Sequence, residues 1–520
     1  MRSTSARIAV AALTTIALGL GGCSATGSTN PQDSATPVAG GDLVIARSQD
    51  ASTLDVNGNV NNWSIWADES VLDTLLVPSP DGKGVEPSLA TSWEVSDDKK
   101  TWTFHLRPGV TFSNGQALTS ADVKFSIDYA RDPKASFGFL DAAIADVTAT
   151  DPETVTITTS TPWAPLLADL AGFNNSIFPA NFAGQSKDAF WEKPIGSGPF
   201  MFDSWVKGSS LKLVRNPHYW KSGLPYLDSV TFLNVPEDQT RATMLQSGQA
   251  QIDEFPAYSS LATLKATTGV TVDEFPSSNT EYLVMNNERP EFSDPHVRRA
   301  ISYALDRDAM IKAVLFGHGE AAKSFLNPSL MEFADVDAPT YDVDKAKQEL
   351  AQSAYPQGFT TTLLVASGKS MYATAAQIIQ ASLKELGIEV EIQTIDADAS
   401  GEMQNNANYD MCLTYFTTDI VDPDEWVTFG AVSPKNGFGN AMNTFYSNPE
   451  LDALAQRGRE EFDPDTRTEI YQQIQQIIAD DQPHASLYYT PFEYARSTKV
   501  HGFQVYPTGN YTLAETWVEQ

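Results

Sequence analysis

The stretch YFTTDIVDPDEW, Tyr415 to Trp426, sets four carboxylates, Asp419, Asp422, Asp424 and Glu425, between aromatic side chains. Two such acids satisfy the demands of glycoside hydrolysis, one as proton donor and one as nucleophile or base. The spacing gives three of the four a local use. Asp422-Pro423-Asp424-Glu425 reads as an N-cap Asp, a Pro at the first helical position and a Glu placed for a capping box. Asp419 has no such role. It follows the apolar run Met411 to Phe416, at the C-terminal end of a predicted strand, where α/β folds place ligand groups. A solvated loop aspartate is the alternative reading.

Other motifs carry less chemistry. His105, His218, His296, His318, His484 and His501 are dispersed and form none of the short metal-ligand spacings, so no metal site is expected from them. Ser367-Gly368-Lys369-Ser370 follows an apolar run as a P-loop end would, but Leu363 stands where the first glycine is required. Gly196-Ser197-Gly198-Pro199 lacks the spacing of a nucleophile elbow, and Gly437-Phe438-Gly439 lacks the third glycine of a dinucleotide loop. Cys412, inside YDMCLTYF, reads as a small buried hydrophobe in a strand covered on both faces.

The elements that must position these residues are mixed. Thr101 to Arg107 alternates, with Trp102, Phe104 and Leu106 on one face, and predicts a half-buried strand. Asp294-Pro295 opens a helix whose apolar period continues to Leu315 and stops at Gly317. Tyr372 to Leu386 predicts a second helix, closed by Gly387 and followed by the alternating strand residues Ile388, Val390 and Ile392. A third begins at Asp463-Pro464 and turns Ile470, Ile474, Ile477 and Ile478 inward. Helices joined to strands by short turns give an α/β body.

Across 520 residues, 66 Asp plus Glu face 34 Lys plus Arg, a net charge of -32 that disfavours nucleic acid and anionic membrane surfaces as partners. Apolar residues at 42 % predict a folded chain of two or more lobes. At the N-terminus, Arg2 and Arg7 precede the uncharged run Ile8 to Leu20, which is too short to span a bilayer and reads as a signal peptide over residues 1–22. Leu20-Gly21-Gly22-Cys23 resembles the lipobox of bacterial lipoproteins, in which the Cys23 thiol is acylated. Residues 23–41 then form a Ser-, Thr- and Gly-rich tether.

Four separated stretches resemble the substrate-binding proteins of ABC importers, the peptide- and nickel-binding group known as bacterial extracellular solute-binding protein family 5. They are PSLATSWEVSDDKKTWTFHLRPGVTFSNGQALTSADVKFSIDYA from Pro87, PIGSGPFMFDSWVKGSSLKLVRNPHYW from Pro194, LQSGQAQID from Leu245 and DPHVRRAISYALDRDAMIKAVLFG from Asp294. The resemblance implies a two-lobed α/β periplasmic-binding-protein fold with an extra subdomain inserted in lobe I. Lobe I is expected over 42–280, with the insertion at about 67–190, and lobe II over 281–484; residues 485–520 are expected to return to lobe I. It implies no reaction and no cofactor: a monomer, lipid-anchored outside the cytoplasm, captures a small-molecule ligand, expected to be a short peptide, and delivers it to an ABC permease and ATPase.

In peptide-binding members an Asp placed as Asp419 is here receives the ligand's ammonium, and the resemblance makes Asp419 the leading ligand residue. Dipeptide binders carry an Arg before the helix that here starts near Tyr372; VASGKSMYAT has none, leaving Lys369 as the basic candidate for the ligand carboxylate. Trp63, Tyr415 and Trp426 are candidate cleft aromatics, whereas Trp66 is expected in the core. An oligosaccharide or a nickel chelate is the alternative ligand within the family, and a secreted glycoside hydrolase is the alternative outside it.

Overall fold

The computed structural model describes residues 36–520 except 59–60, 369 and 435–441. The expected signal peptide, Cys23, most of the tether and Lys369 therefore lie outside the described residues. Within the described part, no helix is long and apolar enough to cross a membrane.

Two sheets organise the chain. The first has seven strands in the order Val270–Phe275, Phe492–Ser497, Ile252–Glu254, Asp42–Arg47, Ser229–Asn234, Ser210–Arg215, Phe200–Val206. The second has six, ordered Glu320–Ala321, His484–Tyr489, Thr280–Met285, Met411–Phe416, Thr360–Ala366, Glu389–Ile395. Each sheet centres a lobe, and the chain crosses between them twice, at residues 276–279 and 490–491. The crossings lie side by side: Thr490 N donates to Asn279 O at 3.3 Å, and the Ser277 hydroxyl bonds Thr490 O.

The return falls later than the expected boundary after residue 484. His484–Tyr489 pairs along Thr280–Met285 and so belongs to the second sheet, and only beyond it does the chain join the first. Between Asp42–Arg47 and Phe200–Val206 the chain builds a separate four-stranded antiparallel sheet, Ala90–Val95, Thr101–Leu106, Thr154–Thr159 and Ile144–Asp151 in that order. Trp102, Phe104 and Leu106 are buried there, as their alternation predicts.

Strand period also explains why Met411–Phe416 reads as apolar throughout its first half. Leu283, Met285, Met411 and Leu413 face one core of lobe II, shared with Ala375, Ile379 and Leu383 of the helix Ser370–Lys384. Tyr282, Val284, Leu364 and Cys412 face the other, against Ile470, Ile474 and Ile478 of Pro464–Asp481. Covering both faces with helices leaves no position for a polar residue in the middle of the sheet. Burial pushes the Cys412 thiol up, which keeps it protonated and inert.

One expected helix is two. Pro295–Ala304 ends at Leu305, and Arg307–Val314 starts anew because Asp306 turns its carboxylate onto the Ala309 amide at 2.9 Å. The apolar period survives the break, so hydrophobic spacing alone does not reveal it.

Candidate ligand-binding site

A cavity of about 580 Å³ opens between the lobes beside the crossing segments. Lobe I supplies Trp63, Trp66, Phe255 and Tyr258; lobe II supplies Glu281, Phe316, Tyr372 and Tyr415; Asn279 and Thr490 come from the crossings. The helix Asn62–Asp68 carries both tryptophans and is capped by Asn61, whose side chain accepts from the Ser64 amide at 3.2 Å. Trp66 is buried between Phe255 and Tyr511, at ring-centre distances of 5.5 and 6.0 Å, yet its edge still forms cavity wall. Core packing and ligand contact are not alternatives for it.

Tyr415 is 38 % exposed and sits directly opposite Glu281 in the antiparallel ladder. Glu281 is only 4 % exposed, and burial together with the Glu281 charge holds the Tyr372 hydroxyl well above its usual range. It is the site residue that sequence reasoning missed, although a lone Glu heading the apolar strand TEYLVM is a visible signal. Among the described residues of the wall, Asp238, Glu281 and Glu493 are acidic and none is basic.

Asp419 lies two residues beyond Thr417, the last wall residue of its segment. Its amide and that of Ile420 donate to Glu425 Oε2 at 2.8 and 3.1 Å, so Glu425 reaches back past the expected capping box to pin the Asp419 turn. Burial pushes Asp419 up to about 7, and burial together with the Asp419 charge holds Glu425 well above the usual carboxylate range. From lobe I, Glu69 joins this group: burial, then the Asp419 charge, raises it to about 8 against an opposing hydrogen bond from Asn510. Glu69 Oε2 and Glu425 Oε1 are buried without a hydrogen-bond partner among the described residues. No cation of the described residues offsets the shift of Asp419 or Glu69. Three carboxyl groups thus share the junction of the lobes, and their burial and mutual charge favour their protonated forms.

The remaining acids of the stretch are structural. Asp422 pairs with Arg467 at 2.8 Å and Asp424 with Arg459 at 2.7 Å, both largely buried. Neither is available as a catalytic acid. Trp426 is not a cleft residue: at 2 % exposure it stacks on Phe416 with centres 4.1 Å apart and donates its indole N–H to Phe325 O at 2.8 Å. The sequence reading set it among the cleft aromatics; the short helix Asp424–Gly430 buries it instead. Lys369 is outside the described residues, but its neighbour Gly368 lines the cavity.

Two α/β lobes joined by paired crossings and enclosing a cavity at their junction define a solute-binding protein. A family model described as bacterial extracellular solute-binding proteins, family 5 middle, matches residues 84–437. The glutathione-binding protein GsiB of Escherichia coli O1:K1 / APEC is 31% identical over 437 residues, 82% of this chain and 85% of that protein. The periplasmic binding protein DppA from Helicobacter pylori, in complex with peptide STSA, aligns with a TM-score of 0.82 at 28% identity over 93% of this chain and 99% of its own. The oligopeptide-binding protein AppA from Bacillus subtilis, in complex with a nonapeptide, gives 0.80 at 27% over 93% and 100%. The chain belongs to family 5 of the bacterial extracellular solute-binding proteins, which serve ABC importers. Its relatives are solute-binding proteins and not enzymes.

Proposed function

We propose that the protein captures short peptides between its lobes and delivers them to an ABC permease from a lipid anchor at Cys23. The observation that carries this reading is the charge of the junction: a wall with three acidic and no basic residues among those described, adjoining the Asp419, Glu425 and Glu69 carboxyls. Such a site favours a solute with a positive amino end. Closure brings Glu69 of lobe I and Asp419 of lobe II to one point, so a ligand ammonium gains most in the closed state and shifts the population toward it. Tyr415 and Trp63 give apolar surface that accepts varied side chains.

The wall is less suited to a compact solute with more carboxylates than ammonium groups. Glutathione, which the relative GsiB is named for, carries two carboxylates, and among the described lining residues no Arg or Lys receives them. Lys369, next in sequence to Gly368, is the residue we assign to the carboxyl end of a peptide. Peptides of several residues, like the STSA peptide in the DppA complex and the nonapeptide in the AppA complex, fit this distribution.

A thermal-shift screen against peptides of two to six residues and a parallel set of oligosaccharides tests the reading, because a ligand of the native state raises its melting temperature. A rise with peptides supports it. A rise with sugars alone contradicts it.

A further inference from the structure

Glu274 and Glu493 stand directly opposite each other on neighbouring strands of the lobe I sheet, a cross-strand pair of like charges next to the crossings. His318, in the lobe II turn between Arg307–Val314 and Glu320–Ala321, closes over them. Its Nδ1 lies 3.2 Å from Glu274 Oε1 and 3.3 Å from Glu493 Oε1. Among the described residues this is the one group of three such side chains whose ligand atoms all fall within 4.8 Å.

Glu493 is the decisive member. It is 2 % exposed, and neither carboxylate oxygen has a hydrogen-bond partner among the described residues. A buried carboxylate with its lone pairs unused is a strong acceptor for a cation. The imidazole supplies one nitrogen, and Lys265 already donates to Glu274 Oε1 at 2.7 Å, which leaves Glu493 undersatisfied.

We propose that Glu274, His318 and Glu493 bind a divalent transition-metal ion of the zinc, cobalt or nickel type, tying lobe I to lobe II beside the hinge. A tetrahedral ion with bonds of about 2.1 Å holds adjacent donors about 3.4 Å apart, close to the two imidazole-to-carboxylate separations here. One nitrogen and two carboxylate oxygens suit these ions, whereas calcium and magnesium select all-oxygen sites. The ion's charge matches that of the two glutamates. Lys265, whose Nζ is 2.7 Å from Glu274 Oε1, either gives way or leaves Glu274 to bind through its other oxygen.

The site was invisible to motif reading because its ligands lie at 274, 318 and 493, with no short spacing between them. It shares Glu493 with the acidic wall on which the peptide assignment rests, but its test uses no peptide. Purified protein without an affinity tag, stripped with EDTA and dialysed, is titrated with Co(II), whose visible d–d absorption reports an ordered low-coordinate site, and then challenged with Zn(II). The expected result is saturation at one equivalent, displacement by Zn(II), and weakening by roughly a hundredfold or more in His318→Gln and in Glu493→Gln. Should Glu493→Gln fail to fold, His318→Gln, on a surface turn, decides. Absence of saturable binding below millimolar metal, or equal binding by the variants, overturns the proposal and leaves the imidazole as a plain bridge between two carboxylates.

Discussion

Glu69 ends a helix of lobe I and Asp419 follows a strand of lobe II, yet the charge of Asp419 raises the proton affinity of Glu69 across the junction. On the proposed function, a bound cation resolves this electrostatic conflict between the lobes. Ligand recognition and closure then draw on the same interaction.

Asp419→Asn removes the central charge while preserving shape. A charge-assisted hydrogen bond in such a site contributes about 2 kcal/mol, so peptide affinity should fall roughly thirtyfold in calorimetry. The fold should persist, because the turn is held by the Asp419 amide and not by its side chain. Unchanged affinity would remove Asp419 from the site.

The pH dependence has a definite sign. Asp419 and Glu69 rise to about 7 and about 8 in the folded protein, above the unfolded carboxylate values. Between roughly pH 4 and pH 8 the native state consequently holds more protons than the unfolded one, and stability falls as pH rises through that window. The ligand-free protein should unfold at a lower temperature at pH 8 than at pH 5. Peptide binding should run the other way, strengthening from pH 5 to pH 7 with release of protons, measurable by calorimetry in buffers of different ionisation enthalpy. A melting temperature that rises with pH across this range would contradict the assignment.

Tyr415 and Trp426 separate affinity from stability. Tyr415→Ala should weaken peptide binding and shift unfolding free energy by about 1 kcal/mol or less, since the ring is partly exposed on the wall. Trp426→Ala should cost about 3–5 kcal/mol in urea denaturation, from the cavity it leaves and the lost bond to Phe325 O. The reverse pattern would return Trp426 to the cleft.

Lys369→Ala should weaken dipeptides more than hexapeptides, by about 1 kcal/mol for a partly solvated pair. Equal loss for all lengths would show that the lysine does not read the carboxyl end.

Much of this was legible in the sequence where one physical signal dominated. The period-2 pattern of Thr101 to Arg107, the cap at Asp463-Pro464 and the Gly387 stop all reappear in the structure, because burial and capping act locally there. The carboxylate stretch divided largely as its spacing implied: Asp422 does accept the Asp424 amide, at 2.9 Å, but both acids also owe their burial to Arg467 and Arg459, distant in sequence. Long-range placement defeated the rest. Nothing local distinguishes Trp426, turned into the core, from Trp63, turned toward the cavity, and nothing links Glu69 to Asp419 before the lobes are assembled. Glu281 was overlooked although a charged residue at the head of an apolar strand needs a reason.

The most direct test of the account compares calorimetric titration of one peptide with that of its N-acetylated form. The account predicts that a peptide binding in the micromolar range or better loses at least about tenfold in affinity on acetylation, while its side chains and carboxyl end are unchanged. Equal affinity for the two forms would contradict it, because no positive end would then be read by the carboxylates of Asp419, Glu425 and Glu69.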